Sequence, residues 1–248
     1  MAINLKLAKS KSMIKKRKTL LDLAGYETKA RSAVKQFWST WKKSGTKKPM
    51  VGSMEGFTDL ITDIVYANGL TRANVLQQGR PVSLPGHFSP AQSWDLVVVN
   101  EGRLIAAMKL DSVPGELLAN HVGMGRKEVL SMAMELRAAC RGNIFRGTRQ
   151  PFVGYLVLLE DALSFRCQVT DVSPYFPIFP EFRNTSYANR FNTLCVKLMR
   201  EGLYTSAAVI LSPRRASKSG EYFEMGEDTG LKSFVTTLAG HIAVEAAM

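Results

Sequence analysis

The chain is short of long apolar runs: in 248 residues none approaches the ~18 consecutive apolar positions of a membrane span. The N-terminal stretch MAINLKLAKSKSMIKKRKTL also lacks the uninterrupted apolar core of a signal peptide, so a membrane or secreted setting is not expected. Cysteine is scarce. Cys140, Cys167 and Cys195 are far apart and odd in number, which argues against a disulfide framework and against a C-x-x-C zinc or redox site. They read as reduced core thiols of a cytoplasmic protein. No internal repeat or nucleotide-binding glycine fingerprint is present, because Gly123-Met124-Gly125-Arg126-Lys127 lacks the spacing of a P-loop.

Acidic residues are also in short supply, 21 against 33 Lys and Arg, for a net charge of +12. The imbalance is local. Residues 1–48 hold 14 Lys and Arg against Asp22 and Glu27, so the 200 residues that follow are electrically balanced. Seven of the basic groups lie within residues 1–20, including Lys15, Lys16, Arg17 and Lys18. Such a segment is either a solvated tail or an arm that neutralises backbone phosphates without reading sequence. Residues 1–27 are therefore read as a basic arm and residues 28–248 as a single α/β domain, for which 46% hydrophobic composition supplies an ample core.

Periodicity predicts a helix over 28–42, with Ala30, Val34, Phe37, Trp38 and Trp41 on one side, and another over 55–68 with the stripe Phe57, Leu60, Ile61, Ile64 and Val65. Residues 79–93, rich in proline and glycine and containing His87, read as an irregular loop. Further helices are expected over 126–140, 186–201 and 231–243, and strands over 152–159 and 207–211. The loop after the last strand, Pro213-Arg214-Arg215-Ala216-Ser217-Lys218, is basic. Arg214, Arg215 and Lys218 suit either a solvated turn or a grip on phosphate or a guanine edge.

The organising stretch is Trp94 to Ser112, WDLVVVNEGRLIAAMKLDS. Two apolar runs flank Asn100-Glu101-Gly102-Arg103, a tight reversal with one residue expected at positive φ, so the stretch reads as a β-hairpin. Its ends carry charge. Lys109 and Asp111 fall on one strand face about 6.6 Å apart, and Asp95 opens the other strand, so a lysine and two carboxylates meet at one end of a sheet. Carboxylates that hold a divalent cation and a lysine that orients water or faces a phosphate are the inventory of metal-dependent phosphodiester hydrolysis. Two core strands with solvated charged ends would give the same pattern.

Residues 95–112 resemble the active-site hairpin of the XhoI family of type II restriction endonucleases, within the PD-(D/E)xK nuclease class. The likeness extends to Gln36-Phe37-Trp38-Ser39-Thr40, Met54-Glu55-Gly56-Phe57, Leu84-Pro85-Gly86-His87-Phe88, Val153-Gly154-Tyr155-Leu156, Phe179-Pro180-Glu181-Phe182, Ser186-Tyr187-Ala188 and Leu211-Ser212-Pro213-Arg214, and spans roughly residues 30–243. It implies a restriction-endonuclease-like α/β core, with a mixed central sheet flanked by helices and the element order αββαβ. It also implies Mg2+-dependent cleavage of double-stranded DNA at a short palindrome by a homodimer, alongside a cognate DNA methyltransferase. Under this resemblance Asp95 is the principal metal ligand, Asp111 the second carboxylate, Lys109 the water-orienting or phosphate-facing cation, and Glu55 an outer acid or merely a helix-dipole partner. One departure stands out: the family's Glu-x-Lys is here Lys109-Leu110-Asp111, the same charges in reverse order. That reversal implies the alternative of a relative that grips DNA but is catalytically impaired.

Because the body is neutral, removal of residues 1–20 is expected to weaken binding to all DNA sequences alike and to flatten its salt dependence. Titrations of full-length and truncated protein on two unrelated duplexes over a salt series measure this; an unchanged slope makes the arm a bystander.

Overall fold

The nine residues Phe152–Glu160 are all buried, an apolar run that only a strand covered on both faces can satisfy. In the computed structural model, which describes residues 21–44, 54–113, 118–141, 149–164, 166–167 and 175–248, this run is the spine of the fold. In chain order the helices are α1 (Tyr26–Ser44), α2 (Glu55–Ala67), α3 (Leu118–Arg141), α4 (Tyr187–Arg200), the single turn α5 (Ala216–Ser219) and α6 (Leu231–Ala246). The strands are β1 (Asn74–Leu84), β2 (Gln92–Asn100), β3 (Arg103–Val113), β4 (Phe152–Glu160), β5 (Arg166–Cys167), β6 (Thr185–Ser186), β7 (Ser206–Ser212) and β8 (Phe223–Glu224).

Six strands form a mixed sheet in the order β1-β2-β3-β4-β7-β8, while β5 and β6 pair separately. β1, β2 and β3 run antiparallel, β3, β4 and β7 parallel, and β8 returns antiparallel. One face packs against α1, α2 and α6 through Phe37, Trp38, Phe57, Ile61, Phe234 and Leu238. The other packs against α3 and α4 through Val129, Leu136, Phe191 and Leu198. This is the helix-flanked mixed sheet of a restriction-endonuclease-like core. Among the described residues no helix is long and apolar enough to cross a membrane. Burial pushes the Cys195 thiol up to about 12, in keeping with an inert core cysteine.

Several local expectations are corrected. Residues 79–93 are not one irregular loop, since β1 runs through Leu84 and β2 starts at Gln92, making the core order αβββαβ. β1 is an edge strand whose register shifts between Gln77 and Val82, where an edge tolerates Gly79 and Pro81. The hairpin turn has two residues at positive φ, Glu101 at 51° and Gly102 at 75°. That matches a two-residue reversal whose twist follows the strands. α3 begins at Leu118, eight residues before the predicted start, despite Gly123 and Gly125. The basic loop contains α5, closed by Gly220 at φ 70°.

Gly220 also locks the fold, because a Cβ there would meet the Arg31 carbonyl oxygen of α1 at 2.2 Å. Gly220→Ala is expected to cost more than about 1 kcal/mol in urea denaturation, since backbone rather than a yielding side chain stands in the way. Gly102→Ala, at φ +75° with nothing within 4 Å, isolates the conformational share at about 1 kcal/mol. Equal losses would remove the steric argument.

Candidate functional site

The parallel strands β3, β4 and β7 finish at the same end of the sheet, where the antiparallel β2 begins. Open α/β sheets bind ligands outside the carboxyl ends of their strands. Leu96 pairs with Met108, so the next position outward sets Asp95 across from Lys109. Both side chains are largely buried, and Lys109 Nζ lies 3.4 Å from Asp95 Oδ2. The same oxygen accepts a 2.8 Å hydrogen bond from the Leu110 N–H. Asp95 thus clamps the β3 backbone with one atom and pairs a cation with it.

Asp111 lies two positions further along β3, in register with Val157 of β4. Its neighbour is Tyr155, fully buried, whose hydroxyl donates to the Asp111 carboxylate. Burial first, and the Asp111 charge second, hold the Tyr155 phenol well above its ordinary range, so it remains a neutral donor. Sequence reasoning passed over Tyr155 because it sits within an apolar strand. Its one polar atom in the run VGYLVLL was the available signal.

On the opposite face of the same sheet end, Glu160 is buried at the close of β4 and forms a two-pronged pair with Arg214: Nε to Oε1 at 2.7 Å and Nη2 to Oε2 at 3.1 Å. Glu160 was not foreseen, and Arg214 is held by it. Arg215 is exposed and 3.5 Å from Glu221, while Lys218 is exposed on α5. Glu55 starts α2, is exposed and meets Gln36 Nε2 at 3.5 Å; its helix packs on the sheet face opposite Asp95. His87, five residues before β2, lies beside α3 and lines a cavity of about 390 Å³ with Leu130, Ser131, Met134, Glu135 and Ala138. Lys15, Lys16, Arg17 and Lys18 fall outside the described residues.

A sheet end carrying a paired lysine and two carboxylates, on a helix-flanked mixed sheet, is the arrangement on which the comparison with known proteins bears. The family model for restriction endonuclease XhoI matches residues 35–224. The chain belongs to the XhoI restriction endonuclease family. It is 34% identical to the type II restriction enzyme BstVI of Geobacillus stearothermophilus over 214 residues, 84% of this chain and 95% of that one. It is 35% identical to the type II restriction enzyme XhoI of Xanthomonas vasicola over 206 residues, covering 78% and 83% of the two chains. With the type II restriction enzyme AbrI of Azospirillum brasilense the identity is 38% over 169 residues, 63% of this chain and 76% of that enzyme. No solved structure matches.

Type II restriction enzymes generally use a divalent metal. Among the described residues no group of three or more His, Cys, Asp or Glu side chains is gathered to hold one. In donor chemistry Asp95 and Asp111 fit a hard cation such as Mg2+, being carboxylates on one sheet face. Lys109 works against that fit, because its ammonium already neutralises Asp95.

Asp95→Ala would leave the Lys109 ammonium without its carboxylate and is expected to cost about 3 kcal/mol. Asp95→Leu combined with Lys109→Met should recover most of that loss, because both charges leave together. A denaturation double-mutant cycle measures the coupling, and purely additive losses would mean the pair contributes nothing.

Proposed function

We propose that this chain is a type II restriction endonuclease-like protein that engages double-stranded DNA at a short palindromic site as a homodimer, within a restriction-modification system that includes a cognate DNA methyltransferase. Family membership supports DNA as the ligand, and twofold protein symmetry matching a twofold site is the physical reason for pairing dimer with palindrome. Asp95 and Asp111 would hold Mg2+, with Glu55 as an outer acid. Bound there, the ion supplies Lewis-acid stabilisation of charge developing on the scissile phosphate. Lys109 would face that phosphate or orient the attacking water, and Tyr155, which donates to the Asp111 carboxylate, would hold it in place. Arg214, Arg215 and Lys218 of the basic loop would add contacts to phosphates, as would the basic groups of residues 1–20, the part of the arm ahead of the packed residues 21–26.

One observation favours the second reading, a DNA-binding relative with little or no turnover. Lys109 occupies the position where the family resemblance puts a carboxylate, and it forms an ion pair with Asp95 at 3.4 Å. An ammonium beside the principal ligand competes with a cation for it. Asp111 lies about 6.6 Å further along the strand, and displacements of about 1 Å in a reacting group already cost ~100-fold in rate. The reading best supported by the geometry is therefore a DNA-binding endonuclease homologue whose cleavage is slow or absent.

Incubation of purified protein with plasmid DNA and Mg2+, read as discrete fragments on a gel, is the direct test, with a gel shift in the absence of metal to score binding. The unmodified chain should shift DNA and cut it slowly or not at all. The paired exchange Lys109→Glu with Asp111→Lys should raise both Mg2+ affinity and cleavage, while either change alone should not. Brisk Mg2+-dependent cutting by the unmodified chain, abolished by the exchange, would make the reversed order the working site.

A further inference from the structure

Arg190 belongs to the first turn of α4, and its Nε and Nη2 are buried without a hydrogen-bond partner among the described residues. Its guanidinium carbon stands 5.0 Å from the centroid of the Tyr187 ring. A ring face attracts a cation but accepts none of the in-plane N–H bonds that a guanidinium offers. A buried donor left unmade is unfavourable in the isolated protein, and a charged one more so.

Its position follows from the packing. α4 leads through a short turn into β7 and runs against it, so its first turn stands at the end of the sheet where β3, β4 and β7 finish. Cys195 of α4 and Tyr155 of β4 belong to one packed layer. Five residues back along the helix is about 7.5 Å, and two residues forward on β4 is about 6.6 Å. Arg190, five residues nearer the helix start, therefore lies toward the strand end that carries Val157, the register partner of Asp111. Around the helix Asn192 bonds Thr229, on the far side of β7, and Arg190 projects about 200° away from it, toward β4 and β3. Among the described residues the carboxylates of this end are engaged: Asp95 has Lys109, Asp111 has Tyr155, Glu160 has Arg214, and Asp161, in the turn after β4, is not free either. None of them bonds the buried Arg190 nitrogens, so among the described residues Arg190 has no anion of its own.

We propose that Arg190 is an anion-binding residue of this site and receives a backbone phosphate of DNA on the sheet face that carries Asp95, Lys109 and Asp111. The proposal rests on the reading of DNA as the ligand. A guanidinium takes two phosphate oxygens at once, whether the phosphate is a diester of DNA or a free ion.

The test is anisotropy of a labelled duplex, without divalent metal, over a salt series for the full chain, Arg190→Met and Arg190→Lys. Arg190→Met should weaken duplex binding roughly tenfold and reduce the slope of log affinity against log salt by about 0.9, the value of one phosphate contact. It should also melt, without DNA, no lower than the unmodified protein, because an uncompensated cation has been removed. Arg190→Lys should keep the slope and recover part of the affinity. Unchanged affinity and slope in Arg190→Met overturn the proposal, as does a lowered melting temperature with unchanged duplex binding, which would make Arg190 a packing partner of Tyr187. If the unmodified chain binds no duplex, the DNA reading falls, and melting in inorganic phosphate decides Arg190 alone. A rise present in the unmodified chain and absent in Arg190→Met supports an anion site; equal rises overturn it.

Discussion

Pairing Leu96 with Met108 is the constraint on which the site depends, because it carries Asp95 to Lys109 from opposite ends of a hairpin. The turn, where Glu101 and Gly102 both adopt left-handed φ, pairs Asn100 with Arg103, and a one-residue shift between Val98 and Val99 then sets the register that joins Leu96 to Met108. A slip of one residue would turn every side chain to the other face and separate the charges. Such a slip is blocked from both sides, since Val97 and Ala107 belong to the layer under α3 and α4, and Leu96 and Met108 to the layer under α1, α2 and α6. β4 then fixes β3 by parallel pairing from Ala106 to Val113.

The second organising feature is how charge is compensated at that sheet end. Each of its buried or half-buried acids has a different kind of partner: an ammonium for Asp95, a phenol for Asp111, a guanidinium for Glu160. The partners differ in how readily they can leave. Tyr155 is fully buried and fixed, whereas Arg214 is two-fifths exposed and sits at the start of a loop. A long polyanion arriving at this surface therefore meets a rigid pair and an exchangeable one, on opposite faces of the same strands.

The hairpin was legible in the sequence because its evidence is local: two apolar runs, a turn dipeptide and charges at fixed offsets. The buried stripe of α2 was legible for the same reason, and α2 and α6 both lie within a few residues of their expected ranges. β1 was not. Its Gln77-Gln78-Gly79-Arg80-Pro81 stretch has neither alternation nor β-branched residues, and it is a strand only because β2 offers it a partner. Tyr155 and Glu160 escaped for another reason, since each gains its role from a residue at least 44 positions away, and no spacing rule encodes that. The charge pattern Lys109-Leu110-Asp111 was plain in the sequence, but the pairing of Lys109 with Asp95 became visible only with the register.

The contact between Gly220 and Arg31 has a mechanical side. Around it the Trp38 indole donates to the Ser212 hydroxyl at 3.0 Å, Ser212 donates to the Glu221 carbonyl at 2.7 Å, and the Arg31 guanidinium lies over the Tyr222 ring at 5.9 Å. α1 is thus riveted to the segment 212–222 from Arg31 to Ser39. The seven basic residues of positions 1–20 precede that helix in the chain. The chain enters α1 past Asp22, whose backbone exchanges two hydrogen bonds with Asn68 at the close of α2, so a pull on the arm is borne by α2 and the core before it reaches α1.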